Sequence, residues 1–212
     1  MSAVLQSTCS CGSIGASGIR LCEDHHRYWL GDKELASVTK VLKSTWPLKP
    51  DFSAADPHTL EHARERGVRV DKYVSEYLRS GRLRVPAGEW EEVVQLVQSF
   101  CLWWKQDAPV KVQQILHDDE IAGTCDVLSP QVNVAIWDVK CTYDIEATYP
   151  IQLGGYADLY EKMHGVLPAI LGVIQIHKRF PHPQVRHYDT MECVRDWRIL
   201  RETWRMVQRR KR

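Results

Sequence analysis

Apolar residues recur every three or four positions in several stretches of the chain, and this spacing predicts amphipathic helices. The most regular stretch covers 57–81, where the predicted helix ends at Gly81. A second helix is predicted over 88–106, with a buried face formed by Trp90, Val93, Val94, Val97 and Cys101. Further helices are predicted directly after Ser37, which is a favourable N-cap residue, and over 148–165 and 194–212.

Short β-branched runs separated by polar turns follow the second helix and predict strands instead. Three of them, at 110–116, 121–128 and 133–141, are expected to form an antiparallel meander. A buried strand is predicted within 168–180, with 184–190 as its hairpin partner. The resulting order of helices, three strands, helix, two strands and helix predicts a mixed α/β fold built in layers.

The first 31 residues differ from the rest, because they are rich in glycine, serine, cysteine and histidine and show little periodicity. Three thiols and one imidazole match a Cys₃His structural zinc site, which would order a segment that lacks its own core. The predicted zinc ligands are Cys9, Cys11, Cys22 and His25 or His26. The sequence therefore predicts a zinc-binding extension over 1–31 and a main domain over 32–212.

Composition narrows the class of protein without naming a function. Hydrophobic residues make up 44% of the 212-residue chain, enough for a substantial core, and the net charge of +1 gives no global field for nucleic acid. The chain begins without the pattern of a signal peptide, and no apolar run reaches the roughly 20 residues that cross a bilayer. These features are typical of a cytosolic protein without a membrane partner, in which cysteines serve as thiols or metal ligands.

The stretch "NVAIWDVKC" at 133–141 carries the candidate chemistry, because Asp138 and Lys140 lie two apart on one strand face. Asp126 precedes Asp138 by twelve residues, and a hairpin register can bring the two carboxylates together. Opposed acids favour a divalent cation such as Mg²⁺ or Mn²⁺, with Lys140 as a second possible counter-charge. This combination suits phosphodiester hydrolysis, whereas a simple surface ion pair at a strand end is the alternative interpretation.

The segments "GTCD", "WDVKC" and "YPIQLGGYADLY", taken together, resemble the PD-(D/E)XK nuclease superfamily. More narrowly, the segments look like its RecB-like branch, which includes phage and mitochondrial exonucleases. The resemblance implies a restriction-endonuclease-like core, in which a mixed central sheet is flanked by helices. It also implies that Asp126 and Asp138 bind metal, that Lys140 is catalytic, and that Gln152 and Tyr156 lie at the edge of the site. Gly154 and Gly155 each disfavour a helix by about 1 kcal/mol, which suggests close approach to the sheet or to a substrate.

Two positions differ from the pattern of that branch. Asp71 stands where a metal-binding histidine is expected, and an aspartate there can also bind Mg²⁺. The glutamate expected before Gly123 corresponds to Gln114 or Glu120. The resemblance further links Ser37, Thr39 and Lys40 to a segment near the DNA backbone, where a helix N-terminus favours phosphate.

The resulting hypothesis is a Mg²⁺-dependent deoxyribonuclease, most simply an exonuclease acting on linear double- or single-stranded DNA. Its expected setting is recombination, repair or phage replication in a bacterial or phage-infected cell. A recombination protein or a single-strand-binding protein is a further candidate partner. The alternatives are a catalytically silent DNA-binding or scaffold protein with the same fold, and a zinc-stabilised interaction module.

Overall fold

The computed structural model describes residues 12–14, 18–22, 25–46, 56–105 and 109–210. Within these ranges the chain forms nine strands and five helices. The strands are β1 Gly12–Ile14, β2 Ile19–Cys22, β3 Arg27–Leu30, β4 Lys33–Ser37, β5 Lys111–His117, β6 Ile121–Ser129, β7 Ala135–Lys140, β8 Ile170–Gln175 and β9 Gln184–Tyr188. The helices are α1 Val38–Thr45, α2 Pro57–Ser80, α3 Glu91–Trp103, α4 Thr148–His164 and α5 Thr190–Arg210.

All nine strands belong to one mixed sheet, in which β6 is the central strand. The meander β5–β6–β7 is antiparallel, β7 pairs with β8 in parallel, and β8 and β9 form a hairpin. These pairings confirm the predicted meander, the predicted hairpin and the mixed α/β class. The strand β5 follows one edge of β6, while the other edge is shared by β4 at its start and β7 at its end.

Helices cover both faces of the sheet, so that the core has two layers. One layer packs α1, α4 and α5 against residues such as Ile136, and the other packs α2 and α3 against Trp137 and Val139. Adjacent residues of β7 thus point to opposite layers, as a pleated strand requires. No helix of the described residues has the length and apolar character needed to cross a membrane.

The ends of the early helices follow from local capping chemistry. Ser37 caps α1 by accepting a hydrogen bond from the backbone N–H of Lys40 at 3.0 Å, as predicted. The helix α2 starts with Pro57 after the cap residue Asp56, and it ends where Gly81 adopts a left-handed conformation with φ of 66°. The prediction for α2 is therefore confirmed at both ends.

The predicted buried face of α3 is partly wrong. Its buried side chains are Val93, Leu96, Val97 and Phe100, whereas Trp90, Val94 and Cys101 are only partly buried. Trp90 precedes the helix, where it stacks on His62 with ring centroids 4.5 Å apart. The contacts of α3 with α2 thus select a face slightly rotated from the predicted one.

The paired glycines of α4 serve helix packing, which corrects the expectation of close approach to the sheet or to a substrate. A Cβ atom on Gly154 would lie 2.0 Å from the carbonyl oxygen of Cys193 in α5. A Cβ atom on Gly155 would lie 2.9 Å from Val38 of α1 and 3.1 Å from Trp197 of α5. Both glycines therefore let α4 approach the neighbouring helices of its own layer.

The N-terminal extension contains strands that the sequence pattern did not predict. The strands β1, β2 and β3 form an antiparallel ribbon, and β3 pairs with β4 before β4 joins β6 in parallel. Ile19 and Tyr28 are buried and pack with Leu35 in a small cluster under this ribbon. The predicted boundary after Gly31 falls in the turn between β3 and β4, so the extension continues the main sheet.

A network of ion pairs fastens α5 to the rest of the fold. Arg201 is 3% exposed, and its guanidinium lies 2.6 Å from Asp118, 2.8 Å from Glu120 and 3.3 Å from Asp158. The backbone N–H groups of Glu120 and Ile121 both donate to Asp118 Oδ1 at 2.9 Å, which fixes the turn between β5 and β6. A buried arginine is tolerated here because three carboxylates surround it.

Candidate active site

The two acids and the lysine singled out in the sequence meet in one cleft of about 610 Å³. The cleft opens where β7 stops pairing with β6, since the last described pair of that ladder is Val127 with Trp137. The next positions along the two strands are Asp126 and Asp138, so the predicted hairpin register places both carboxylates at this opening.

The local geometry follows from the separation of the two strands. Asp126 Oδ2 accepts a hydrogen bond from the backbone N–H of Val139 at 2.7 Å. The Asp126 side chain thus takes the role that a backbone carbonyl of β6 would have if the two strands stayed paired. Asp138 is only 1% exposed, and its Oδ2 atom lies 2.7 Å from Lys140 Nζ. Asp138 and Lys140 point to the same face because they are two residues apart in a strand.

Negative charge accumulates in the cleft. Burial, and next the charge of Asp138, raise the pKa of Asp126 well above its usual value, although Lys140 opposes them. Burial likewise raises the pKa of Asp71, which Lys140 lowers and Asp138 raises further. Burial alone would lower the pKa of Lys140, but the charges of Asp138 and Asp126 outweigh it and raise that pKa. A cation placed between the acids would relieve this repulsion.

The side chains present fit a Mg²⁺-type ion held by two carboxylates. Among the described residues, Asp138 Oδ2 is buried and makes no hydrogen bond besides its ion pair with Lys140, so it has capacity for a further ligand. The described residues include no group of three or more His, Cys, Asp or Glu side chains arranged to hold a metal alone. Mg²⁺ commonly uses one or two carboxylates and completes its shell with water and phosphate oxygens, so Asp126 and Asp138 suffice.

Asp71 reaches the cleft from α2, next to a residue that the sequence reasoning missed. Gln113 of β5 places its amide nitrogen 3.4 Å from Asp71 Oδ1, 3.4 Å from Ser75 Oγ and 3.5 Å from Asp126 Oδ1. Its backbone has a φ of 53°, which is unusual for a residue other than glycine within a strand.

Neither Gln114 nor Glu120, the two positions predicted for the glutamate before Gly123, occupies the place of Gln113 beside the acids. Gln114 donates a hydrogen bond to the carbonyl oxygen of Ile115 at 3.1 Å, and Glu120 pairs with arginines of α5. A signal for Gln113 did exist in the sequence. The tight turn between β5 and β6 pairs His117 with Ala122, and this register sets Gln113 opposite Asp126.

Gln152 and Tyr156 line the same cleft from α4 and contact each other. Gln152 Nε2 donates to the hydroxyl of Tyr156 at 2.8 Å, and both side chains are buried. The ring of Tyr156 lies against Gly123, where a Cβ atom would be 2.7 Å from Tyr156 Cε1. The glycine of the G-x-x-D segment is therefore required because the tyrosine ring occupies the space of a side chain.

The N-terminal ribbon forms one wall of the cleft. His26 and Tyr28 line it, and the Tyr28 hydroxyl is 2.9 Å from Thr124 Oγ1, which ties the ribbon to β6. Of the predicted zinc ligands, Cys22 Sγ and His25 Nδ1 lie 3.2 Å apart. Cys9 and Cys11 lie outside the described residues.

The segment predicted to lie near the DNA backbone also borders the cleft. Ser37 and Thr39 line it at the start of α1, and their side-chain oxygens are 3.1 Å apart. Lys40 does not line this cleft; it lies in a neighbouring groove that shares Ser37 and Thr39 with it. Of the three residues, two therefore face the acids and one extends away from them.

The fold is similar to the crystal structure of a presumed exonuclease from Eubacterium rectale, with a TM-score of 0.51 and 12% identity over 82% of this chain and 83% of that chain. The solved structure of a protein named SSO0001 is 15% identical over 80% of this chain and 84% of that chain, with a TM-score of 0.33. No protein-family model matches the chain, and no curated protein matches its sequence. The likeness to the Eubacterium rectale protein confirms the mixed α/β fold with a central sheet flanked by helices.

Proposed function

We propose that this protein is a metal-dependent nuclease that hydrolyses phosphodiester bonds in DNA, acting as an exonuclease. The observation that carries the proposal is the meeting of Asp126, Asp138 and Lys140 where β6 and β7 separate. The resemblance of the three sequence segments to PD-(D/E)XK nucleases supports it. The fold shared with a presumed exonuclease agrees with it.

In this proposal Asp126 and Asp138 hold a Mg²⁺ or Mn²⁺ ion, with Asp71 as a third acid near them. The ion would polarise the scissile phosphoryl group and lower the pKa of an attacking water. Asp126 is held in place by the N–H of Val139, so its second oxygen remains directed into the cleft. Such fixed acids bind the cation without first having to reorganise.

Lys140 is proposed to orient the attacking water and to stabilise the charge that develops on the phosphate. Its ammonium group already neighbours Asp138 at 2.7 Å, and it lies 5.2 Å from the centroid of the Tyr149 ring. Both contacts restrict its position, which favours a defined geometry around one phosphate. Gln152 and Tyr156 complete the wall of the site, where their mutual hydrogen bond fixes both side chains.

The test is degradation of linear, circular and single-stranded DNA with Mg²⁺ or Mn²⁺, using the wild type, Asp138→Asn and Lys140→Ala. We expect each variant to lose at least about 100-fold in rate, the usual scale for such groups. The exposed Lys111→Ala variant is the control and should keep wild-type activity. Wild-type activity in both site variants would refute the assignment. Binding of DNA without turnover, with every metal and substrate, would favour the silent scaffold instead.

We also propose that Cys22 and His25 are two of four zinc ligands, together with Cys9 and Cys11. The 3.2 Å contact between Cys22 Sγ and His25 Nδ1 supports this, because the two atoms are close enough to share one ion. Metal analysis of the purified protein should then give about one zinc per chain, and Cys22→Ser should lose it. Full zinc content in that variant would contradict the proposed ligand set.

A further inference from the structure

A second groove, of about 950 Å³, adjoins the cleft that holds the acids. The two spaces share His26, Ser37 and Thr39, so they form one continuous path along the protein surface. We call the second space the basic groove and define it by His25, Arg27, Lys40, Lys43 and Ser44. A linear ligand that enters the cleft would therefore leave it along this groove.

The floor of the basic groove is the outer face of α1. Val38, Val41 and Leu42 bury the inner face of this helix. Lys40, Lys43 and Ser44 are exposed and follow the spacing of three and four residues that places side chains on one helix face. From Thr39 to Ser44 the helix rises by about 7.5 Å, so these residues extend away from the acids in a row.

The charge of the groove favours an anionic ligand. Arg27 and Glu34 neutralise each other, with Arg27 Nε 3.0 Å from Glu34 Oε1. Within the described part of the chain, neither Lys40 nor Lys43 forms an ion pair, although the hydrogen bond and charge of Arg27, and after them the charge of Lys40, lower the pKa of Glu34. Two exposed ammonium groups are therefore available to phosphates without first breaking a salt bridge.

We infer that the basic groove binds the phosphates next to the scissile one, with Lys40 and Lys43 as their contacts. This inference rests on the proposed nuclease function, because the acids define where the scissile phosphate lies. It adds a direction to that function, since the strand would run from the acids along α1 toward its C-terminus. Two ammonium groups on one helix face would hold that strand in register with the acids.

The experiment measures binding of labelled single-stranded and duplex DNA by fluorescence anisotropy between 50 and 200 mM salt without divalent metal. The test variant is Lys40→Ala with Lys43→Ala, and the matched control is Lys105→Ala with Lys111→Ala, which removes two exposed charges elsewhere. Losing two phosphate contacts should reduce the salt slope by about 1.4 for single strands and about 1.8 for duplex. At 0.1 M salt, single-strand affinity should fall roughly 25-fold by the same relation.

Two further variants separate this inference from the proposed function. Lys43→Arg keeps the charge and should keep the salt slope. Asp138→Asn should abolish metal-dependent cleavage, and adding the Lys40 and Lys43 substitutions to it should lower the slope by the same amount as in the wild type. An unchanged slope in the Lys40 and Lys43 double variant would overturn the groove, even if the wild type proves to be a nuclease. An equal loss in the Lys105 and Lys111 double variant would also overturn it. Reduced binding in the groove variant alone supports the inference, even if no DNA is cleaved.

Discussion

Asp118 offers a quantitative test of how the turn between β5 and β6 is fastened to α5. Burial would raise its pKa, but hydrogen bonds from the backbone N–H groups of Glu120 and Ile121, together with Arg201, lower it to about 2. The change we consider is Asp118→Asn, which keeps the size and shape of the side chain. It removes the charge and turns an amide group toward Arg201 or the backbone.

The magnitude follows from the difference between the folded pKa and the ordinary value of 3.8. A difference of nearly two pKa units corresponds to about 2 kcal/mol of stability at neutral pH. Because the folded pKa is the lower one, this stability is fully present above about pH 4. It is lost as the pH falls through the folded pKa, so about half of it remains at pH 3.

The assay is urea unfolding of the wild type and of Asp118→Asn at pH 7, 5, 4 and 3, followed by tryptophan fluorescence. We expect the variant to be less stable by about 2 kcal/mol at pH 7 and by about 1 kcal/mol at pH 3. Asp119→Asn is the matched control, because Asp119 is exposed and should show little change at any pH. A difference that stays constant with pH, or grows as the pH falls, would show that the ionised carboxylate is not the source of the stability.

Four further substitutions, with Gly67→Ala as the control, test close contacts within the fold and the site. In a urea titration, Gly154→Ala should lower the free energy of unfolding by about 3 kcal/mol. Gly67→Ala is the control, because a Cβ atom there meets nothing within 4 Å, and it should raise the free energy of unfolding by up to about 1 kcal/mol. Gly123→Ala should lower it by about 1–3 kcal/mol because the ring of Tyr156 cannot move freely; wild-type stability would contradict this packing. Gln113→Gly should change the free energy of unfolding by no more than about 1 kcal/mol, because glycine adopts a positive φ without strain. The same variant should reduce DNA cleavage at least tenfold. Unchanged cleavage would exclude a role for the Gln113 side chain.

The sequence was most informative where one local rule decided the outcome. Capping residues predicted the start of α1 and the end of α2, because these signals depend on neighbouring residues alone. The register of a short hairpin likewise brought Asp126 and Asp138 to one opening. Such features are determined within short stretches of chain, so residue spacing and residue type are sufficient to predict them.

The sequence was least informative where distant segments decide the outcome. The ribbon of β1 to β3 is stabilised by pairing with β4 and by burial of Ile19 and Tyr28, and no strong periodicity announces it. Gly154 allows α4 to pack closely against α5, and the spacing of residues within α4 does not predict that contact. Gln113 was missed because the family resemblance led to Gln114 or Glu120, although the register of β5 with β6 sets Gln113 opposite Asp126.

The parallel pairing of β4 with β6 has a consequence for the order in which the molecule assembles. Ser37 pairs with Ala122, a residue far along the chain, whereas β5, β6 and β7 are joined by short turns. Loop closure disfavours the distant pairing until much of the chain has collapsed, so the local meander should form first. A folding chain in which only the meander has formed would then hold Asp126 and Asp138 without the wall that the N-terminal ribbon adds to their cleft. The cleft is therefore complete only after β4 has paired with β6.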